Sequence, residues 1–88
     1  MLEKKIEDKL KREVKLRGGL CLKFTSPGTV GVPDRIVLFS GGKLLFVEVK
    51  APGKKLRPIQ VKRKKELEGL GFKVLVIDSY KGIEEVFN

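Results

Sequence analysis

Histidine and tryptophan are missing from this 88-residue sequence, and cysteine occurs once, at Cys21. Each absence removes chemistry. Without imidazole there is no Ser–His–Asp triad, no Cys–His pair, no imidazole general base and no His-ligated zinc. One cysteine closes no internal disulfide and builds no Cys-rich metal site. Long apolar runs are also missing. The longest are four residues, Ile36 to Phe39, Leu44 to Val47 and Val74 to Ile77, against the roughly 20 a membrane helix needs. The opening MLEKKIEDK holds no apolar signal region. These absences predict a soluble, cytoplasmic or otherwise intracellular protein with a reduced thiol, no membrane partner and no small-molecule cofactor. Any catalysis must run on carboxylates and lysines, with or without a bound metal.

Acidic residues are in short supply as well. Eleven Asp and Glu stand against twenty Lys and Arg, for a net charge of +9 and a pI near 9.9. Such a balance predicts a polyanionic partner, nucleic acid first and an acidic membrane surface second. A hydrophobic content of 41% is enough for a globular core and too high for a disordered basic tail. The expectation is a single domain over 1–88. A domain of this size buries only about 60–65% of its unfolded surface, and dimerisation would offset that.

Leu2, Ile6, Leu10 and Val14 recur at four-residue spacing and predict a helix over 2–17, ended by Gly18-Gly19. LCLKF (20–24) predicts a strand, and TSPGTVGVP (25–33) a loop with two Gly and two Pro. Asp34 to Phe39 and Leu44 to Lys50 predict two strands joined antiparallel by the tight turn Ser40 to Lys43. Pro58 suits a first helical turn, and Ile59 to Leu70 predict a helix closed by Gly71. Lys73 to Asp78 predict a fourth strand, and 80–87 a short helix with Ile83, Val86 and Phe87 inward. The third strand, the helix and the fourth strand have the spacing of a parallel crossover. The predicted class is α/β, with a mixed four-stranded sheet flanked by helices.

The positive charge is concentrated. Residues 50 to 65 hold Lys50, Lys54, Lys55, Arg57, Lys62, Arg63, Lys64 and Lys65 and no acidic residue. A basic loop feeding a basic helix start suits phosphate. Lys64 and Lys65, beside Glu66 and Glu68, read instead as an ordinary solvated face. No aromatics interleave the segment, which disfavours a base-stacking single-strand platform.

Glu48 is out of place. It lies in LLFVEVK, between Val47 and Val49. Strand alternation puts it on one face with Phe46 and Lys50. A carboxylate there costs on the order of several kcal/mol unless paired. Centring the hairpin on Gly41-Gly42 sets Asp34 across from residues 48 to 50. Two carboxylates and a backbone carbonyl would suit a hard cation such as Mg²⁺. The cation would polarise a phosphodiester and help lower the pKa of an attacking water, and a lysine beside it would stabilise developing charge. Glu-x-Lys alone says little, since it also occurs at Glu3, Glu7 and Glu13, all on the first helix. Only Glu48 lies on an apolar strand, one hairpin after the single Pro-Asp at Pro33-Asp34. The alternative, a Glu48–Lys50 pair on an edge strand with Asp34 as a turn residue, stays open from spacing alone.

At these residues the chain resembles the PD-(D/E)XK nuclease superfamily, and within it the VRR-NUC family in its small stand-alone, phage-type form. The likeness is carried by Gly31-Val32-Pro33-Asp34-Arg35, by Phe46 to Gly53 with Glu48-Val49-Lys50-Ala51-Pro52-Gly53, and by Pro58-Ile59-Gln60. It extends from the glutamate-bearing first helix through Gly18-Gly19 to Val74–Ser79 and so over nearly the whole chain. The resemblance implies a core of helix, three strands, helix and strand, and Mg²⁺ or Mn²⁺ as cofactor. It implies metal ligands at Asp34, Glu48 and the Val49 carbonyl, with Lys50 as the motif lysine. Gln60 matches a downstream glutamine that helps position phosphate or water. A first-helix glutamate often joins such sites; Glu7 is the first choice here and Glu3 the second. The implied activity is hydrolysis of DNA, including branched forms such as Holliday junctions, by a homodimer, with flaps, DNA ends or binding without cleavage as alternatives. Lys23, Ser26, Lys54, Lys55, Arg57 and Lys62 are the expected DNA contacts.

Overall fold

Ile6, Leu10 and Val14 are fully buried, so the predicted stripe holds the first helix, α1 (Glu3–Leu16), onto the protein. The computed structural model describes residues 2–87. Leu2 departs from the predicted stripe. It occupies the N-cap in extended backbone and is 69% exposed, because a residue outside the first turn does not share the helix's face.

Three strands follow: β1 (Leu20–Lys23), β2 (Arg35–Phe39) and β3 (Lys43–Val49). The helix α2 (Pro58–Gly69), the strand β4 (Lys73–Ile77) and the helix α3 (Tyr80–Phe87) complete the chain. The sheet order is β1-β2-β3-β4. β1 and β2 are antiparallel, β2 and β3 are antiparallel, and β3 and β4 are parallel across α2. The β2–β3 turn is tight because Gly41 and Gly42 both have positive φ, at 85° and 73°, which other residues reach only at a cost.

Alternation divides β3 between two environments. Val47 and Val49 join Ile6, Leu10, Val14, Val37, Ile77 and Ile83 in one core under α1 and α3. Phe46 and Glu48 face the other way. Phe46 lies between the rings of Phe24 and Phe72, at 5.8 and 5.7 Å. The buried residue of α2 is not apolar: it is Gln60. The β1 end of this face is thinly covered, and Leu20 and Leu22 are 59% and 45% exposed.

The predicted elements and their order agree with the structure, with shifts of one or two residues at the ends. Asp34 and Lys50 fall just outside the strands predicted to include them. Both positions lie where the β2–β3 ladder has ended, so their side chains are not committed to the regular pleat.

The α1 core yields a stability prediction. Leu10→Ala should lower the unfolding free energy by about 2–5 kcal/mol. Leu16→Ala, at a 77% exposed position, should change it by no more than about 0.5 kcal/mol. Urea denaturation of the two variants measures both.

Candidate active site

The β2–β3 register pairs Arg35 with Val47, so Asp34 comes beside Glu48 on the α2 face. Continued further, the register sets Pro33 against Val49, and proline has no N–H to offer the Val49 carbonyl. The Val49 N–H needs an acceptor too. Asp34 provides one, its Oδ2 accepting that N–H at 3.0 Å. The Asp34 carboxylate therefore stands in for the missing strand partner and is held against the end of β3. On the other side, the Lys50 N–H donates to the Ile77 carbonyl at 2.9 Å, which anchors the backbone of the motif lysine to the end of β4.

Glu48 is 4% exposed. Its Oε2 accepts a hydrogen bond from Gln60 Nε2 at 3.2 Å and has Lys50 Nζ at 3.8 Å. Gln60 is itself oriented. Its Oε1 accepts the Arg57 N–H at 2.9 Å, closing the first turn of α2, so the amide nitrogen is turned toward Glu48. Arg57 to Gln60 thus couples the start of α2 to the carboxyl pair.

The electrostatics are unbalanced. Burial, then the Asp34 charge and a hydrogen bond shared with Asp34, push the Glu48 carboxyl up to about 8; Lys50 opposes them and Glu3 adds to them. Two acids in contact in a poorly solvated site favour a shared proton or a cation between them. The donor set of two carboxylates with a carbonyl beside them suits a hard, oxygen-seeking divalent ion. These residues therefore fit the cation that the motifs imply. No third Asp, Glu or Cys completes a metal-binding cluster among the described residues.

The first-helix acids separate. Glu7, preferred on sequence, has its Oε2 on Arg35 Nε at 3.0 Å, on the α1 side of the sheet. Glu3 lies close enough to act on Glu48. The difference is one helical turn: Glu7 rises above Arg35, while Glu3 sits at the helix start near the open end of the hairpin.

Of the expected DNA contacts, Ser26 and Arg57 line one cleft with Asp34 and Gln60. Lys54, Lys55 and Lys62 are exposed on the loop before α2 and on α2 itself. Lys23 is exposed but pairs in register with Arg35, which puts it on the α1 side. Sequence reasoning passed over Arg63, which it counted only as charge. Its Nε donates to the Val30 carbonyl at 2.8 Å and so joins the 25–33 loop to α2; no periodicity signals such a contact.

A phage protein provisionally named nuclease p44, from Acyrthosiphon pisum secondary endosymbiont phage 1, is 49% identical over 77 residues, spanning 88% of this chain and 83% of that protein. A solved structure described as a VRR_NUC domain superposes with a TM-score of 0.91, at 29% identity, over 96% of this chain and 91% of that one. The chain belongs to the VRR-NUC family of nucleases. No protein-family model matches it. The VRR-NUC fold, a mixed four-stranded sheet with flanking helices, is the α/β class expected from the sequence.

The raised pKa of Glu48 has a consequence for stability. In the unfolded chain it titrates near its ordinary 4.5, and in the folded protein near about 8. Between those values the folded state keeps a proton that the unfolded chain has lost, so this contribution to stability falls as pH rises. In EDTA, wild type should therefore melt at a lower temperature at pH 9 than at pH 5.5. Glu48→Gln, which cannot ionise, should narrow that difference in thermal scans.

Proposed function

We propose that the protein is a metal-dependent, structure-selective DNA endonuclease that hydrolyses phosphodiester bonds, with branched DNA such as four-way (Holliday) junctions as its substrate class. The observation that carries this reading is the convergence of Asp34, buried Glu48 and Lys50 at one end of a hairpin. Carboxylates there would repel phosphate unless a cation lay between, so a module that only binds DNA has no use for them.

Asp34, Glu48 and the Val49 carbonyl would hold Mg²⁺ or Mn²⁺, with Glu3 better placed than Glu7 to add a first-helix carboxylate. When bound, the ion would supply Lewis acidity toward the phosphodiester. Lys50 would orient the attacking water or stabilise negative charge developing on the phosphate oxygens. Gln60 keeps Glu48 in place and has an amide N–H facing the same site. Lys54, Lys55, Arg57 and Lys62 would neutralise backbone phosphates, with Ser26 at the cleft and Lys23 further off. A homodimer would present two sites to opposing strands of a junction, and the exposed Leu20 and Leu22 are apolar surface that a second copy would cover. The whole would act inside the cell. Among the described residues no helix is long and apolar enough to cross a membrane.

Cleavage of labelled four-way junction, flap and linear duplex in Mg²⁺, Mn²⁺ or EDTA tests the reading. Wild type should cut only with metal, and Asp34→Ala and Lys50→Ala should each lose roughly 10²–10³-fold in rate. Binding without cleavage in every metal would leave a non-cutting module. Preference for flaps or ends would replace only the junction assignment.

Salt provides an independent check. Affinity for duplex DNA, read by fluorescence anisotropy in EDTA, should fall steeply with salt. Lys54→Ala should reduce the log–log slope by about 1. An unchanged slope would remove Lys54 from the DNA face.

A further inference from the structure

We infer that the cleft beside the carboxyl pair is a preformed seat for one unpaired nucleotide flanking the scissile phosphate; this rests on the nuclease reading above. The cleft has a volume of about 670 Å³ and runs from Asp34 and Gln60 outward between the 25–33 loop and α2. That volume is in the range of small-ligand sites. Its lining separates it from a track for the DNA backbone. Arg57 is the one cation among its lining residues, whereas Lys54, Lys55 and Lys62 stand outside it. The walls are Val30, Val32 and Ile59; hydroxyls such as those of Ser26 and Thr29 line the loop side, and the Asp34 carboxylate and Gln60 amide close the inner end.

Apolar walls with a few hydroxyls suit a nucleoside, whose base has apolar faces and hydrogen-bonding edges. Phosphate alone would call for more cations. A base still stacked in a duplex cannot enter a concave site; an unstacked one can. None of the lining residues is aromatic, so the base would be held by aliphatic contact and by its edges, with little preference for identity. Selection would be for an unpaired position and not for a sequence.

The cleft is built to keep its shape. Arg63 Nε binds the Val30 carbonyl at 2.8 Å, and the Thr29 N–H closes a turn onto the Ser26 carbonyl at 3.0 Å. Gly31, at φ 84°, lies so close to α2 that a Cβ would sit 2.8 Å from the Ile59 carbonyl oxygen. The loop is therefore docked on α2 before any substrate arrives.

The test uses the full chain and a duplex with a one-nucleotide 2-aminopurine bulge, moved through the positions flanking the mapped cut, beside its fully paired counterpart. Binding is read by 2-aminopurine emission in EDTA and in Ca²⁺, and cleavage in Mg²⁺. Wild type should change the emission at one flanking position and cut the bulged DNA with the higher kcat/KM. Thr29→Phe fills the cleft from an exposed position. It should abolish the emission change and lower kcat/KM on bulged DNA roughly tenfold, chiefly through KM. Arg63→Ala, which frees the loop without filling the cleft, should weaken the emission change. No emission change at any position, or equal cleavage of both DNAs by wild type and Thr29→Phe, would overturn the seat while leaving the nuclease reading intact. With no cleavage in any metal there is no cut to map, and the bulge is then moved along the whole duplex; an emission response lost in Thr29→Phe would support a seat for an unpaired nucleotide and overturn the nuclease reading that sets it beside a scissile phosphate.

Discussion

A buried carboxyl on the α2 face of β3 sets the terms for the rest of this protein. Glu48 is 4% exposed and has Asp34 beside it. Burial and a second acid both work against its charge, and Lys50 opposes them. A fold that keeps such a group needs compensation from several directions. Gln60 donates from α2 and Lys50 approaches from the strand's own continuation, while the opposing Asp34 is tied to the Val49 N–H. The imbalance that remains is the physical basis of the proposed cation site.

The architecture follows from serving two faces of one strand. Val47 and Val49 fill the α1–α3 core, which contributes the apolar burial that a chain this small needs. Phe46 and Glu48 are left to the opposite face, where polar contacts help to hold α2. Its buried residue is the glutamine that touches Glu48, and Arg63 joins it to the 25–33 loop. The cleft thereby runs from Asp34 and Gln60 to Arg57 at the start of α2. The apolar core lies behind the sheet and is not interrupted by it.

Much of this was legible in advance. Ile6, Leu10 and Val14 announce α1 by period alone, and the four-residue apolar runs on either side of Gly41-Gly42 announce the inner strands. Glu48 could be singled out because a charged residue among Phe46, Val47 and Val49 contradicts its setting. The partner of the first-helix acid could not be read. Glu3 and Glu7 are one turn apart with the same residue type, and only the contact of Glu7 with Arg35 separates them. Arg63 looked like one more lysine-like charge in a basic run because its partner, the Val30 carbonyl, is a backbone group with no sequence signature.

The amino-acid sequence alone determined the order of elements, the hairpin register and the meeting of Asp34, Glu48 and Lys50. These depend on local period and on a tight turn, both of which act between near neighbours in the chain. The tertiary structure decided which glutamate of α1 approaches the pair, how Gln60 is aimed, and that the 25–33 loop leans on α2 to leave a cleft. Those outcomes depend on contacts between segments apart in the chain, 12 residues for Glu48 and Gln60, 28 for Glu7 and Arg35 and 33 for Val30 and Arg63. No pattern along the chain encodes such distances, because they arise only when the sheet brings its two sides together.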